Sequence, residues 1–124
     1  MRIAFTSQNF RTITGHAGKT RRFLIIGQGQ DGKPVELERL DLPRKMSMHE
    51  YRGHDHPIFR VDLLVSGGCG HGFIQRMGAH GVQVLVTSET DPYAAARMIF
   101  SGEPLPPAEP HHDDDVETLT DDPP

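Results

Sequence analysis

The stretch VDLLVSGGCGHGFIQRMGAHGVQVLVT, residues 61–87, predicts a β-strand, a glycine turn, a short helix and a second strand. Residues 61–65 form a strand-like run and residues 82–87 are nearly continuously apolar, as strands buried in a parallel sheet are. Between them, Phe73 and Met77 have the i, i+4 spacing of one helical face. Because strand–helix–strand crossovers are right-handed, we expect the two strands to lie parallel in one sheet.

A second helix is predicted directly after this unit. Thr90 and Asp91 supply a capping residue, Pro92 suits the first helical position, and Gly102 is a typical helix end. The segment between them, residues 94–100, reads AAARMIF. The second half of the chain therefore contains two consecutive strand-to-helix units.

The first half of the chain adds antiparallel strands. Residues 2–6 and 23–26 are short apolar runs, and residues 31–34 (DGKP) have the chemistry of a turn. Residues 35–40 (VELERL) alternate with period two, which predicts a hairpin with one buried face. A short helical turn is expected after Pro57. Together the two halves predict a mixed α/β sheet.

Composition indicates one small domain with a charged tail. The 124 residues include no Trp, one cysteine and no apolar run near the ~20 residues that a membrane-spanning helix needs, so we expect a cytoplasmic protein rather than a membrane protein. Residues 103–124, here called the acidic tail, hold eight acidic residues and six of the ten prolines but no Lys or Arg. We expect this tail to be disordered and residues 1–102 to form the domain.

The domain itself is moderately basic. Residues 1–102 carry 13 Lys and Arg against nine Asp and Glu. Nucleic acid is not an expected partner, because this surplus is small, aromatic residues make only 6% of the chain, and the acidic tail would compete.

The glycine turn, residues 67–70, holds the first candidate site. Gly67, Gly68 and Gly70 surround Cys69 at the expected carboxyl end of a parallel strand, where ligands of open α/β sheets collect. Glycine amides and the following helix dipole favour an anion and are expected to lower the pKa of the Cys69 thiol. Cys69 and His71 are therefore candidate metal ligands. The alternative is that Cys69 is a small buried apolar residue.

The histidine segment, residues 42–57, is a long predicted loop that contains His49, His54 and His56. Neutral imidazole binds borderline metals well, and a loop allows several rings to converge. The spacing fits no tetrahedral zinc motif, and a solvated loop without a role is the alternative. His80, after the first helix, is interpreted as a surface residue.

The basic loop, residues 14–22 (TGHAGKTRR), is glycine-flanked. We interpret it as an anion clamp, with a solvated basic face as the alternative. The sequence contains neither a correctly spaced GxGxxG motif nor GxxxxGK[ST], which excludes the corresponding dinucleotide and phosphate sites. The candidate anion-binding side chains of this loop are His16, Lys19, Arg21 and Arg22.

In their order and spacing these pieces resemble the dinitrogenase iron-molybdenum cofactor biosynthesis family, which includes the small NifX-type proteins and the C-terminal domain of NifB. The resemblance covers about residues 1–102. The matching stretches are residues 2–4 (RIA), 15–18 (GHAG), 22–25 (RFLI), 31–34 (DGKP), the histidine segment, 62–68 (DLLVSGG), 81–84 (GVQV) and 101–103 (SGE).

The resemblance implies a ribonuclease H-like fold, with a mixed sheet of about five strands and two to three helices, used without nuclease chemistry. It implies a non-catalytic protein that binds or carries the iron-molybdenum cofactor or its iron-sulfur precursor. Nitrogenase assembly proteins would be its partners, and a homodimer would supply more ligands than one chain does.

A metallocluster is anionic and rich in sulfide, so the candidate residues suit it chemically. The predicted metal ligands are Cys69, His71, His49, His54 and His56. The residues predicted to offset the charge of the cluster or to approach it are His16, Lys19, Arg21, Arg22, Gly67, Gly68 and Gly70.

Two other functions fit the same residues. One is a sensor of a single metal ion, or a protein-interaction module. The other is a thiol enzyme with Cys69 as nucleophile and His71 or His16 as base, which requires an activated thiolate.

Overall fold

The computed structural model of the chain describes residues 1–109, in which five strands form one sheet in the order β3-β2-β1-β4-β5. The strands are β1 (Arg2–Thr6), β2 (Arg22–Gln28), β3 (Pro34–Asp41), β4 (Leu63–Ser66) and β5 (Gln83–Val86). The helices are α1 (His71–Ala79) and α2 (Pro92–Ser101), with 3-10 turns at Arg44–Met46 and Pro57–Arg60.

The sheet is mixed. β1 and β2 are antiparallel, as are β2 and β3, whereas β4 is parallel to both β1 and β5. The crossover from β4 to β5 runs through α1, as the sequence predicts. The α/β class and the mixed sheet of five strands are therefore confirmed, and the arrangement is compatible with a ribonuclease H-like fold.

Apolar residues alternate between the two faces of the sheet. Ile3 and Phe5 in β1, with Leu24 and Ile26 in β2, are buried on the face that α2 covers. The other face is covered by α1 and by the segment between β3 and β4, whose apolar residues form a second buried cluster. That cluster contains Ala4, Phe23, Ile25, Met48, Ile58, Leu64, Phe73 and Met77.

The ends of α2 follow the sequence signals. The Asp91 side chain accepts a hydrogen bond of 2.9 Å from the backbone N–H of Tyr93, and Pro92 opens the helix. Gly102 ends it with a φ of 80°, a left-handed conformation that favours glycine. The predicted cap and end of this helix are confirmed.

The predicted buried face of β3 is wrong. Leu40 is the one residue of β3 that is buried, while Val35 and Leu37 remain 38% and 46% exposed. β3 lies at the edge of the sheet, and a β-bulge between Ile25 and Ile26 of β2 shifts its register. The bulge breaks the period-two pattern at Leu37, so the alternation in the sequence does not translate into one continuous buried face.

The first part of the acidic tail, residues 103–109, lies against the domain. The Thr87 hydroxyl donates a hydrogen bond of 2.7 Å to the carbonyl of Pro106, and Leu105 packs against the cluster beneath α2. The remaining tail residues, 110–124, lie outside the described residues, so the expected boundary at residue 102 and the expected disorder stay predictions. Across residues 1–109, no helix is long and apolar enough to cross a membrane.

Candidate functional site

The basic loop, the histidine segment and the glycine turn meet at one side of the sheet. The backbone N–H of Ala17 donates to the carbonyl of Gly68 at 3.1 Å, and that of His49 donates to the carbonyl of Gly18 at 2.7 Å. The fold thus brings together three segments that are distant in sequence, and residues 17–18 form the link between the other two.

The basic loop crosses the glycine turn in close backbone contact at Gly15 and Gly67, where an added Cβ would make ordinary van der Waals contacts. A Cβ on Gly15 would lie 3.5 Å from the backbone nitrogen of Gly68, and a Cβ on Gly67 would lie 3.5 Å from the Thr14 backbone. Gly68 and Gly70, by contrast, have open space at the Cβ position. The glycine turn therefore packs closely on one side and is open on the other.

Cys69 is half-buried and packs against the apolar cluster beneath α1. Burial raises the pKa of its thiol to about 11. The prediction of a lowered pKa is wrong, because burial disfavours the charged thiolate. A raised pKa disfavours the thiolate that a thiol enzyme needs.

His71 and His16 are both exposed. His71 is the first residue of α1, and His16 has a left-handed backbone with φ of 55°. The carbonyl of His16 accepts hydrogen bonds from the backbone N–H groups of Lys19 and Thr20, which form the turn of the basic loop. Both imidazoles are accessible from solvent beside the glycine turn.

His56 is fully buried and has no free ring nitrogen. Its Nδ1 accepts a hydrogen bond of 3.1 Å from the backbone N–H of Ile58, so its Nε2 carries the proton and donates to the carbonyl of Met46 at 2.7 Å. The ring also packs edge-on against Tyr51, with centroids 5.0 Å apart. In this arrangement His56 cannot ligate a metal, and it acts instead as an anchor for the histidine segment.

A pocket of about 480 Å³ opens between the histidine segment and α1. Its volume is in the usual range of small-ligand sites. We call it the imidazole pocket because three of its seven lining residues are histidines. These residues are Met48, His49, Arg52, Gly53, His54, Arg76 and His80.

His80 is the functional candidate that sequence reasoning missed. Its ring stacks on Phe59 with centroids 3.7 Å apart and planes 5° apart, and its centroid lies 6.0 Å from that of His54. His54 and His80 are 26 positions apart in the chain, so no local motif joins them. The only sequence signal is that His80 follows the predicted helix.

The pocket contains two guanidinium groups that bond to backbone carbonyls. Arg76 donates to the carbonyls of Met48 and Tyr51, the first at 2.6 Å, and Arg52 donates to the carbonyl of His49 at 3.1 Å. Within residues 1–109, neither arginine forms a salt bridge and no carboxylate lines the pocket. Their positive charge is therefore available to an anion.

Two cations of the basic loop contact neighbouring segments of the fold. Arg21 donates to the carbonyl of Leu42, while Arg22 pairs with Asp41 at 3.3 Å and lies over the Phe10 ring. Both side chains support the packing of neighbouring segments.

The five predicted metal ligands are divided among separate places. Cys69 and His71 lie at the glycine turn, His56 lies in the core, and His49 and His54 line the imidazole pocket. No cluster of three or more His, Cys, Asp or Glu that could hold a metal ion is found in the part of the chain that the structure covers.

Comparisons with known proteins agree with the resemblance found in the sequence. The model of the family described as "Dinitrogenase iron-molybdenum cofactor" matches residues 1–102. The crystal structure of PH0822 has a TM-score of 0.63 at 14% identity, covering 91% of this chain and 97% of that one, which shows a shared fold.

A second solved structure is a putative NifB protein from Thermotoga, assigned to the DUF35 family. It has a TM-score of 0.48 at 16% identity and covers 90% of this chain and 97% of that one. No curated protein matches the sequence.

Proposed function

The chain belongs to the dinitrogenase iron-molybdenum cofactor family, and we propose that it carries the iron-molybdenum cofactor or its iron-sulfur precursor, as cargo, in the imidazole pocket. Membership associates the chain with biosynthesis of this cofactor. The proposed role is non-catalytic, with nitrogenase assembly proteins as donor and acceptor of the cargo.

One observation carries this proposal: the pocket combines three imidazoles and two guanidinium groups with no carboxylate among its lining residues. Imidazole is a good ligand for iron, and unpaired guanidinium groups stabilise an anionic cluster through charge-assisted hydrogen bonds to sulfide or oxygen atoms. The Met48 side chain adds a soft thioether to the same surface. A site for a hard divalent cation such as Ca²⁺ or Mg²⁺ would place carboxylates, not arginines, in these positions.

His54 and His80 are the proposed ligands. Their rings are 6.0 Å apart, and His80 is held in place by its stacking on Phe59. Two imidazoles leave most of a multinuclear cluster without protein ligands, so the positive charge of Arg52 and Arg76 supplements the bonds that the two rings make. Such incomplete coordination suits a carrier, because an acceptor protein can complete the coordination as the cluster leaves.

The remaining predicted ligands have secondary places in this proposal. His49 lies at the edge of the pocket that faces the basic loop, and His16 and His71 are exposed beside the glycine turn. We assign Cys69 no primary role, because binding as a thiolate would cost the loss of a proton held with a pKa of about 11. We assign His56 the role of anchoring the histidine segment through its hydrogen bonds to Met46 and Ile58.

Anaerobic reconstitution tests the proposal. The full chain is mixed with extracted iron-molybdenum cofactor, separated from unbound cofactor, and examined by visible absorption and by iron and molybdenum analysis. We expect the wild type to retain cofactor, His54→Ala/His80→Ala to lose most of it, and the matched control Cys69→Ala to retain it. If the wild type retains no cofactor, the proposal is wrong. If retention depends on Cys69 instead of the two histidines, the binding site is at the glycine turn and not in the imidazole pocket.

A further inference from the structure

The pocket side chains Arg52 and His54 belong to a short loop that closes around the ring of Tyr51. We call residues 52–54 the loop tip, and all three line the imidazole pocket, whereas Tyr51 is not among the lining residues. We propose that Tyr51 is a positioning residue, which holds the loop tip in the shape that binds cargo without touching the cargo itself. Because this role concerns the proposed cargo site, it rests on the proposed function.

The phenol hydroxyl closes the loop. The Tyr51 hydroxyl donates a hydrogen bond of 2.7 Å to the carbonyl of Asp55 and accepts one of 3.3 Å from the backbone N–H of the same residue. One side chain thus joins the residue before the loop tip to the residue after it. Since the loop tip belongs to no helix or strand, these two bonds limit the conformations that its residues can adopt.

Gly53 packs directly on the Tyr51 ring. A Cβ at position 53 would lie 2.6 Å from Cζ of Tyr51 and would also overlap the hydroxyl oxygen. The ring cannot move aside without cost, because its hydroxyl is bonded to Asp55 and the ring packs against His56 with centroids 5.0 Å apart. The centre of the loop tip is therefore pressed onto the ring, and the residues on either side of Gly53 are exposed.

The same ring also borders the support of the second proposed ligand. The centroid of the Tyr51 ring lies 6.4 Å from that of Phe59, and Phe59 is the ring on which His80 stacks. The backbone carbonyl of Tyr51 accepts a hydrogen bond from Arg76, which ties the residue before the loop tip to α1. Tyr51 thus lies between the supports of the two proposed ligands, His54 and His80.

A loop tip that is already in place binds at a lower entropic cost, because fewer groups have to be ordered when the ligand arrives. The loop tip provides one proposed ligand, His54, and one guanidinium, Arg52. Loss of the Tyr51 hydroxyl leaves both groups in the chain but lets them sample more conformations. We therefore expect weaker binding of cargo without loss of the fold.

Backbone 15N relaxation of the full chain without cargo tests the positioning. Tyr51→Phe removes the hydroxyl and keeps the ring, and the control Tyr93→Phe removes the other tyrosine hydroxyl of the chain, on the face of the sheet that α2 covers. We expect the order parameters of residues 52–54 to fall from about 0.85 towards about 0.6 in Tyr51→Phe and to stay at the wild-type value in the control. Unchanged order parameters in Tyr51→Phe would overturn the proposal.

Binding of extracted iron-molybdenum cofactor tests the consequence. We expect Tyr51→Phe to bind it about five-fold or more weakly than wild type, and Tyr93→Phe to bind it like wild type. Both variants should keep the wild-type midpoint of urea unfolding, since each ring stays in place, and this separates positioning from a general loss of stability. Equal affinities of wild type and Tyr51→Phe would overturn the role of Tyr51 in binding.

Gly53→Ala provides a second, independent variant. In the wild-type background its Cβ meets the Tyr51 ring, so we expect the affinity for cofactor to fall about five-fold, whereas in Tyr51→Ala the same change should have no further effect. Two effects that add would contradict the contact. If the wild type itself retains no cofactor, the proposed function is wrong, and the relaxation comparison alone decides whether Tyr51 holds the loop tip.

Discussion

The imidazole of His56 holds both ends of the histidine segment, through the carbonyl of Met46 and the N–H of Ile58. Replacing it by alanine leaves two buried backbone groups without partners and a cavity beside Tyr51. We predict that His56→Ala lowers the free energy of unfolding in urea by about 2–4 kcal/mol. The exposed control His71→Ala should change it by less than about 0.5 kcal/mol. Equal, small effects would show that His56 is not an anchor.

Burial also lowers the pKa of His56 below its ordinary value of 6.5. Because the unfolded chain then binds the proton more tightly than the folded chain, the stability that neutral His56 contributes is complete above about pH 6.5 and is lost as the pH falls towards the folded pKa. Urea unfolding at about pH 7.5 and about pH 5 should therefore show a larger loss for wild type than for His56→Leu. The same pH dependence in both chains would contradict the assignment.

The Cys69 thiol should be nearly inert at neutral pH. With a pKa of about 11 its thiolate fraction is far below that of an ordinary cysteine, so iodoacetamide should modify it about 100-fold more slowly than a free thiol at pH 7.5. In urea, where the burial is lost, the rate should return to the ordinary one. Fast modification of the folded protein would contradict the burial and restore the thiol-enzyme alternative.

At this scale the sequence identifies residue types but not their surroundings. The glycines around Cys69 suggested an activated thiol, and the adjacent apolar cluster that raises its pKa is assembled from distant segments. The surroundings of His56 are equally hidden in the sequence, because its hydrogen-bond partner Met46 is ten positions away across an irregular loop. Position along the chain cannot distinguish a ligand from an anchor here.

Among the elements, α2 offers a direct test of a cap that the sequence predicts. Asp91→Ala removes the hydrogen bond to the N–H of Tyr93 and should cost about 1 kcal/mol of unfolding free energy, measured by urea denaturation. Thr90→Ala, which changes an exposed side chain that makes no such bond, is the matched control and should be near neutral. If both substitutions have the same effect, the cap does not stabilise the helix.

The elements of the second half were predictable because their signals are local. The apolar run of β5 and the proline and glycine that bound α2 lie within the elements themselves. β3 was predictable as a strand but not in its burial, because the bulge at Leu37 and the edge position depend on pairing with β2. Its exposed and irregular pairing also makes β3 a poor template for adding a further strand.

At the scale of the whole molecule, the pocket that we propose as the cargo site lies along α1, whereas the glycine turn lies at the carboxyl end of β4. The Arg76 side chain joins α1 to the histidine segment by donating to the carbonyl of Met48, and both residues line the pocket. The sequence located His49 and His54 correctly in a loop that lines it. It could not locate His80, whose place depends on stacking with Phe59.

The central claim is that imidazoles of the pocket hold the cluster. Its most direct test is pulsed electron paramagnetic resonance of the anaerobically reconstituted full chain with 15N-labelled histidine, which detects histidine nitrogen bound to a paramagnetic cluster. The account predicts 15N coupling in wild type and in His16→Ala/His71→Ala, and loss of the coupling in His54→Ala/His80→Ala. Coupling that persists in His54→Ala/His80→Ala but disappears in His16→Ala/His71→Ala would contradict it.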